Sequence, residues 1–433
     1  MYRIGLCALL TALLPLLLDE AAHAQAIDIP LRCHAYDIRQ LSGPHVGYGA
    51  ARLSTQPPSN RLLLPQFGEA IPVFGTFRLA NTEFVLAMTS PTFGGGYDCV
   101  YLDYDGDGNL AEEQPLVPAS ITTAKGMKRL NFPLVNVAYR LGGSTMVYTI
   151  WPYADLPAGL VDLNATDDAT LSRYVHFGFA VACAWEGSFT AAGRQYNIWL
   201  WDLNANGRFD NVMTWETSDL MAIEEAGAPQ RVFYTGNLLS LGSLLYRFEI
   251  NIPESRAQLV PVDEPLVELK LGESTVALQL ISEDEAHCIM MANADSTVMV
   301  PPGSYRLVSY MLRRLHANGE WWSLAAAATS PRFRPAPGVN EPPAAVAAGE
   351  AAELQFGEPF KPVVRVSLDD TQRKAQLSLY VLGAGGESLL WVRRKPLGPV
   401  PEGVRNPSLP PAPLYRIVTA NGENVAEGKM EYG

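Results

Sequence analysis

The hydrophobic residues of the chain come in short runs that are rich in β-branched and aromatic side chains and are separated by clusters of Gly, Pro, Asn and Asp. Runs of this length, bounded by turn-forming residues, are typical of β-strands. The clearest predicted strands are 82–88, 97–103, 144–151, 177–185, 196–202, 244–250, 305–312 and 376–382. Helix is expected only in two short patches, 110–114 and 218–226. The pattern predicts an all-β protein of several β-sandwich-like modules in tandem.

One strand and the loop that follows it occur twice in the sequence. Residues 97–110 match residues 196–209 without a gap, at a constant offset of 99 that carries Asp103 onto Asp202. Both faces of each matched strand are mostly apolar, which indicates strands near the middle of their sheets. A second apolar run and a turn of small residues precede each copy. A duplicated strand-plus-loop unit is the simplest explanation.

The first of the two loops carries an acidic side chain at every second position. Asp103, Asp105 and Asp107 occupy loop positions 1, 3 and 5, a glycine follows at position 6, and Asn109 offers its backbone carbonyl at position 7. This spacing wraps carboxylate and carbonyl oxygens around a hard cation such as calcium. The loop therefore resembles an EF-hand-type calcium loop, and we predict calcium as its ligand.

The match to the EF-hand pattern ends before its last ligand. The resemblance implies a bidentate Glu at position 12, where this chain has Gln114. Glu112 and Glu113 are the candidates for the missing oxygens, because the shorter calcium loops of dockerin-like and thrombospondin-like proteins shift their last ligand. We expect this departure from the EF-hand pattern to affect the affinity for calcium more than the choice of metal.

The second loop keeps oxygen ligands at the same positions but with fewer charges. Asp202, Asn204 and Asn206 stand at positions 1, 3 and 5, Arg208 stands at position 7, and Asp210 adds a candidate carboxylate at position 9. Two formal negative charges instead of three or more predict weaker calcium binding than in the first loop. Two alternatives stay open for both loops: ordinary Asx turns without a metal, and carboxylates that serve acid–base catalysis.

Charge and length narrow the classes of function. The 433 residues are enough for three or four domains, and the net charge of −13 argues against a nucleic-acid partner. Motifs of common enzymes are missing, including Gly-x-Ser-x-Gly, His-Glu-x-x-His and a glycine-rich phosphate loop, and the histidines are scattered. A catalytic triad assembled from distant residues stays an alternative.

The first 24 residues have the pattern of a secretory signal peptide. Arg3 precedes an apolar run that ends before Ala22-His23-Ala24, a small-x-small cleavage pattern, and no later apolar run is long enough to span a membrane. We therefore predict a secreted or periplasmic protein, with an uncleaved anchor as the alternative.

Removal of the signal peptide would leave four cysteines, Cys33, Cys99, Cys183 and Cys288. Four cysteines allow two disulfides with three possible pairings. Burial as small hydrophobic residues, or a metal site formed by Cys33-His34 and His287-Cys288, are the alternatives.

Composition divides the rest of the chain into modules. We predict a β module with the first loop at 25–165, a second with the other loop at 166–245, a small β-sandwich at 246–324, an Ala/Pro connector at 325–350 and a C-terminal β-sandwich at 351–433. A Pro-Pro-Gly turn at 301–303 precedes an alternating strand, so the third module resembles the transthyretin-like or carboxypeptidase-regulatory-like sandwiches of secreted bacterial proteins.

The function that these observations favour is that of a calcium-binding β-protein with a structural, adhesive or binding role, and not an enzyme. A cell-surface or matrix polymer is the candidate partner. One alternative is a secreted hydrolase of polysaccharide or peptide with structural calcium. Another is a carbohydrate-binding protein that uses Trp199, Trp201, Trp321 and Trp322.

Overall fold

The computed structural model describes residues 25–430 except for 38–45, 68–71, 91–96, 159–166, 215, 273, 318, 329–344, 351–352, 370–373, 396–408 and 410–411. Its architecture is nearly all-β with several separate sheets, which confirms the predicted fold class. The predicted signal peptide, and most of the predicted Ala/Pro connector, lie outside the described residues. No helix of the described part is long and apolar enough to cross a membrane.

The described strands follow one another with a single α-helix between them. The strands are β1 Ile27–Ala35, β2 Tyr48–Ala50, β3 Arg52–Ser54, β4 Val73–Leu79, β5 Thr82–Thr89, β6 Cys99–Leu102, β7 Ser120–Ala124, β8 Met127–Asn131, β9 Val135–Leu141, β10 Ser144–Pro157, β11 His176–Val181, β12 Cys183–Ala191, β13 Arg194–Trp201, β14 Leu220–Glu225, β15 Arg231–Tyr234, β16 Leu238–Leu241, β17 Leu244–Asn251, β18 Arg256–Pro261, β19 Val267–Leu271, β20 Ala277–Ser282, β21 Cys288–Met291, β22 Thr297–Val300, β23 Ser304–Leu315, β24 Trp321–Ala327, β25 Val346–Ala347, β26 Glu353–Leu354, β27 Lys361–Asp369, β28 Lys374–Leu382, β29 Ser388–Lys395, β30 Leu414–Val418 and β31 Asn424–Lys429. The helix α1 is Asp168–Tyr174, and a 3₁₀ turn covers Ile252–Glu254.

The largest sheet runs through most of the molecule. Its strand order is β15-β14-β13-β12-β1-β18-β17-β16-β21-β20-β23-β24-β29-β28-β27, with β25 paired to β23. A six-stranded sheet has the order β2-β11-β10-β8-β7 with β9 paired to β10, and a four-stranded sheet has the order β3-β4-β5-β6. A three-stranded sheet β22-β19-β26 and the hairpin β30-β31 complete the described strands.

Strand pairing crosses the predicted module boundaries. β10 pairs with β11 across residue 165, and β1 pairs with β12 on one side and with β18 on the other. The largest hydrophobic core is shared in the same way, since it includes Ile29, Phe84, Tyr148, Ile198 and Leu259. A second core lies farther along the chain and includes Leu269, Tyr305 and Phe356.

Both predictions of helix were wrong, and strand β6, which was expected near the middle of its sheet, lies at the edge of the four-stranded sheet. The patch expected to be helical at 218–226 is largely strand β14, whose residues Leu220, Met221, Ala222 and Ile223 are all buried. The patch at 110–114 is a turn anchored by the buried Leu110. A short run that is apolar on all sides fits a central strand as well as a helix. Here the run is a strand because it pairs with β13 on one side and with β15 on the other.

Candidate metal centre

The first loop begins where strand β6 ends. Asp103 directly follows the strand and is fully buried. Its Oδ1 accepts a hydrogen bond from the Gly106 backbone N–H (2.8 Å), and its Oδ2 accepts one from that of Gly108 (3.1 Å). The carboxylate therefore holds the loop in a tight curve around itself.

Side chains along the loop each cap the backbone two residues farther on. Asp105 accepts from the N–H of Asp107 (3.2 Å), Asp107 accepts from that of Asn109 (2.7 Å), and Asn109 accepts from that of Ala111 (3.2 Å). These are Asx turns, as the alternative interpretation of the sequence expected. Each bond engages one oxygen of its side chain, so the second carboxylate oxygens of Asp105 and Asp107 are available for a cation.

The acidic side chains converge into two overlapping groups. Carboxylate oxygens of Asp103, Asp105 and Glu113 lie within 4.8 Å of one another, and so do those of Asp105, Asp107 and Glu112. Asp105 belongs to both groups. These residues could hold a metal ion, and both Glu candidates for the missing ligand lie at the cluster.

Glu113 closes the loop and shares its electrostatic environment. Its Oε1 accepts a hydrogen bond from the Tyr104 backbone N–H at 3.0 Å. Burial raises the pKa of both Asp103 and Glu113, and the neighbouring charge of Asp105 raises each of them further. Carboxylates that repel one another at a partly buried site are stabilised by a bound cation.

The second loop reproduces the backbone geometry of the first. Asp202 is buried and accepts hydrogen bonds from the Asn206 N–H (3.2 Å) and the Gly207 N–H (2.7 Å). Positive φ angles occur at Ala205 (55°) and Gly207 (79°), and an offset of 99 carries these positions back onto two glycines of the first loop. Asn204 caps Asn206, as position 3 caps position 5 in the first loop.

The side chains at the end of the second loop have other partners. Both carboxylate oxygens of Asp210 accept from the Arg208 guanidinium, at 2.9 Å and 3.0 Å. The Asn204 amide donates to Thr217 Oγ1 at 2.9 Å, and the Asn206 amide donates to Asn211 Oδ1 at 3.0 Å. The amide side chains at positions 3 and 5 of the second loop are therefore engaged by neutral partners.

One functional candidate was missed by the sequence analysis. Asp219 is fully buried, and its carboxylate accepts from the backbone N–H groups of Leu203 (3.0 Å) and Asn211 (2.9 Å). It is the counterpart of Glu113, because each acid binds the N–H of the residue that follows the first Asp of its loop. The only sequence signal is an acid immediately before the apolar run of β14, at a spacing that no calcium motif contains.

Asp202 and Asp219 form a buried carboxylate pair. Burial raises the pKa of both, and the charge of Asp202 raises that of Asp219 further. The Tyr148 hydroxyl donates to Asp202 at 2.5 Å, which favours the ionised form of that carboxylate and partly offsets the effect of burial. The pair therefore holds a proton more readily than ordinary aspartates do.

The other candidates of the sequence analysis are dispersed. Within the described residues, only the first loop brings together three or more Asp, Glu, His or Cys ligand atoms, so Cys33-His34 and His287-Cys288 do not form a metal cluster. Among the tryptophans, Trp201 is buried, Trp199 and Trp322 are half-buried, and the exposed Trp321 ring has the Arg313 guanidinium over it, 4.5 Å from its centroid.

No family model, no curated protein and no solved structure matches this chain. The assignment of a function therefore depends on the geometry of the loops.

Proposed function

We propose that the protein is a secreted or periplasmic calcium-binding β-protein with a structural or adhesive role, and that the first loop is its principal calcium site. The observation that supports this proposal most directly is the convergence of Asp103, Asp105 and Glu113 oxygens within 4.8 Å. Cell-surface or matrix polymers are the class of partner that we propose for such a role.

Ligand chemistry favours calcium over other metals. All the side chains that converge on the loop offer oxygen, without a thiolate or an imidazole among them. Calcium takes six to eight oxygen ligands and tolerates irregular geometry, whereas magnesium requires a nearly ideal octahedron and zinc prefers nitrogen and sulfur.

The surroundings of the loop support a structural role for the ion. The Leu63 N–H donates to the Gly108 carbonyl at 3.2 Å, and the Ala138 N–H of β9 donates to the Tyr104 carbonyl at 2.7 Å. A cation held by Asp103 and Glu113 would fix the end of β6 against both of these segments. We expect the ion to stiffen the loop region and to raise the melting temperature.

Calorimetric titration of the full chain with calcium, after treatment with EDTA, tests the proposal. Asp105→Asn removes a carboxylate that both acidic groups share, so we expect it to weaken the tightest binding event at least about tenfold. The exposed Asp263 lies outside the cluster, and Asp263→Asn is the matched control. No heat of binding, together with a melting temperature that EDTA leaves unchanged, would contradict the proposal.

The second loop is the weaker site of the same proposal. Asp202, Asn204 and Asn206 would supply its oxygens with the buried Asp219 beside them. We expect a second, weaker binding event that survives Asp105→Asn. Asp202→Asn is the variant that should remove this event while leaving the tight one in place.

A further inference from the structure

Two of the four predicted mature cysteines are brought together by two neighbouring interior strands of the largest sheet, β1 and β12. In the antiparallel register of β1 and β12, Cys33 lies opposite Trp185 and Cys183 lies opposite Ala35. The two cysteines are therefore diagonal neighbours, two positions apart on one face of the sheet. The two thiols also lie close enough for each to shift the pKa of the other.

The remaining cysteines have separate surroundings. Cys99 is buried in β6 of the four-stranded sheet. Cys288 is buried in β21, where the Gln279 side-chain amide donates to its sulfur at 3.3 Å. Strand register therefore supports a single bond between Cys33 and Cys183, with Cys99 and Cys288 left as buried thiols.

We propose that Cys33 and Cys183 form a disulfide by exchange with a disulfide donor, either a thiol–disulfide oxidoreductase or oxidised glutathione. The bond would link β1, the first described strand, to its neighbour β12 within the largest sheet. It closes a covalent loop of about 150 residues, and constraint of the unfolded chain by so long a loop stabilises the folded state.

The two thiols differ in a way that assigns their roles. Cys33 is exposed, whereas Cys183 is buried. The hydrogen bond from Cys183 lowers the pKa of the Cys33 thiol, while the same bond and burial raise the pKa of Cys183. Cys33 is therefore the attacking thiol that a donor can reach, and Cys183 resolves the intermediate.

The exchange has two balanced steps. The Cys33 thiol loses its proton to solvent, and its sulfur attacks one sulfur of the donor, which forms a mixed disulfide and releases one donor thiolate. The Cys183 thiol then loses its proton and attacks Cys33 Sγ, which breaks the mixed disulfide and releases the second donor thiolate. The two thiols of the protein are oxidised, the donor disulfide is reduced, and the two released protons are available to the donor thiolates.

Peptide mapping by mass spectrometry of the full chain tests the pairing. The protein is equilibrated under native conditions with oxidised glutathione or with dithiothreitol, blocked with an alkylating reagent after denaturation, and digested without reduction. We expect a cross-linked peptide pair that contains Cys33 and Cys183 in the oxidised sample alone, with Cys99 and Cys288 alkylated in both. Free Cys33 and Cys183, a lasting glutathione adduct on Cys33, or a cross-link to another cysteine would each overturn the proposal.

Melting curves provide the second readout. We expect oxidised wild-type protein to melt higher than reduced protein by about 5 °C. Cys33→Ser should abolish this difference, whereas Cys99→Ala should retain it at whatever absolute temperature that variant melts. Because the comparison is between the oxidised and reduced forms of each chain, a general loss of stability in a variant does not imitate the result. Equal melting temperatures for the two wild-type forms would contradict the stabilising effect.

Discussion

At the level of single residues, the two loops share a backbone conformation although their sequences differ. Gly106 (φ 74°) and Gly108 (φ 81°) occupy the left-handed region in the first loop, and Ala205 takes this conformation in the second. A side chain in that region costs roughly 1–2 kcal/mol. The second loop therefore tolerates strain that the first avoids, which fits a loop held by buried hydrogen bonds rather than by charge.

Replacing Gly108 by alanine tests the backbone requirement. A Cβ atom there would have room, with Leu62 as its nearest neighbour at 3.9 Å, so the expected loss of about 1 kcal/mol comes from the positive φ alone. At Gly106 a Cβ atom would also lie 2.4 Å from Thr82 Cγ2, so Gly106→Ala should be the more destabilising of the two. Urea unfolding in EDTA gives both values, and Ala205→Gly, which removes the strain, is expected to stabilise slightly.

The buried carboxylate pair predicts how the stability of the metal-free protein depends on pH. The pKa is raised to about 6 for Asp202 and to about 8 for Asp219, by burial in both cases. An unfolded aspartate titrates near 3.9, so the native state binds more protons than the unfolded state above about pH 4. The pair's contribution is therefore fully present below that pH and is lost as the pH rises through 6 to 8.

Urea unfolding between pH 4 and 9 in EDTA measures this dependence. We expect Asp219→Asn to flatten the fall in the free energy of unfolding between pH 6 and pH 8, because its amide does not ionise. Other groups titrate in the same pH range, so the slope of the variant is compared with the slope of the wild-type protein. Asp263→Asn, at an exposed site, should keep that slope. An unchanged slope in Asp219→Asn would show that burial does not hold a proton on this pair.

At the level of elements, local pattern located most strands but not their ends or partners. The predicted run 177–185 is two strands, β11 and β12, which belong to different sheets and meet at Ala182. The Ala182 N–H donates to the Thr149 carbonyl, and its own carbonyl accepts from Tyr36, so the residue joins the two sheets. Continuous hydrophobicity conceals such a change of sheet, because both halves are buried.

The residues of the candidate site also divide into those that the local sequence pattern predicts and those that it does not. Asp103, Asp105, Asp107, Glu112 and Glu113 were predictable because all of them lie within one short stretch whose spacing determines their geometry. Asp219 was not predictable, because it lies just before the next strand and contacts the second loop only after the chain folds back. Likewise the contact of Tyr148 with Asp202 depends on sheet packing, which no local spacing encodes.

Strand β14, which the sequence pattern had assigned to a helix, can be tested by substitution of one of its buried residues. Ile223 is fully buried between β13 and β15, so Ile223→Ala should lower the free energy of unfolding by about 2–4 kcal/mol through the cavity that it leaves. Val147 lies on a strand with 56% of its surface exposed, and Val147→Ala should cost less than about 1 kcal/mol. Denaturant melts of both variants provide the comparison, and similar costs at the two sites would contradict the burial of β14.

At the level of the whole molecule, strand β1 joins parts of the chain that composition alone had separated. Ile29 is fully buried and pairs with Ala257, while Leu31 pairs with Gly187. Sequence periodicity depends on neighbouring residues, so it cannot predict pairing between residues that are so distant in the sequence. The fold class was therefore predictable, whereas the way in which one sheet continues through several predicted modules was not.

Substitution at Ile29 tests whether that continuity governs stability. Ile29→Asp places an unpaired carboxylate in the largest hydrophobic core, so we expect a loss of several kcal/mol in the free energy of unfolding. Hydrogen exchange should quicken in β12 and β18 together, because β1 lies between them. Exchange that quickens in one of these strands alone would indicate two independent units. Asp28→Ala, at an exposed position of the same strand, is the control.

The position of β1 also determines when this protein can fold during its synthesis. The strand ends at Ala35, whereas its second partner, β18, ends at Pro261. At roughly 5–20 residues per second, a ribosome needs on the order of 10–45 s to make the intervening chain. Throughout that interval the apolar side chains of Ile29 and Leu31 have no complete sheet to enter. A nascent chain that stops before residue 256 should therefore bind chaperones and be cut readily by proteases at β1, and it should become resistant only once β18 has emerged.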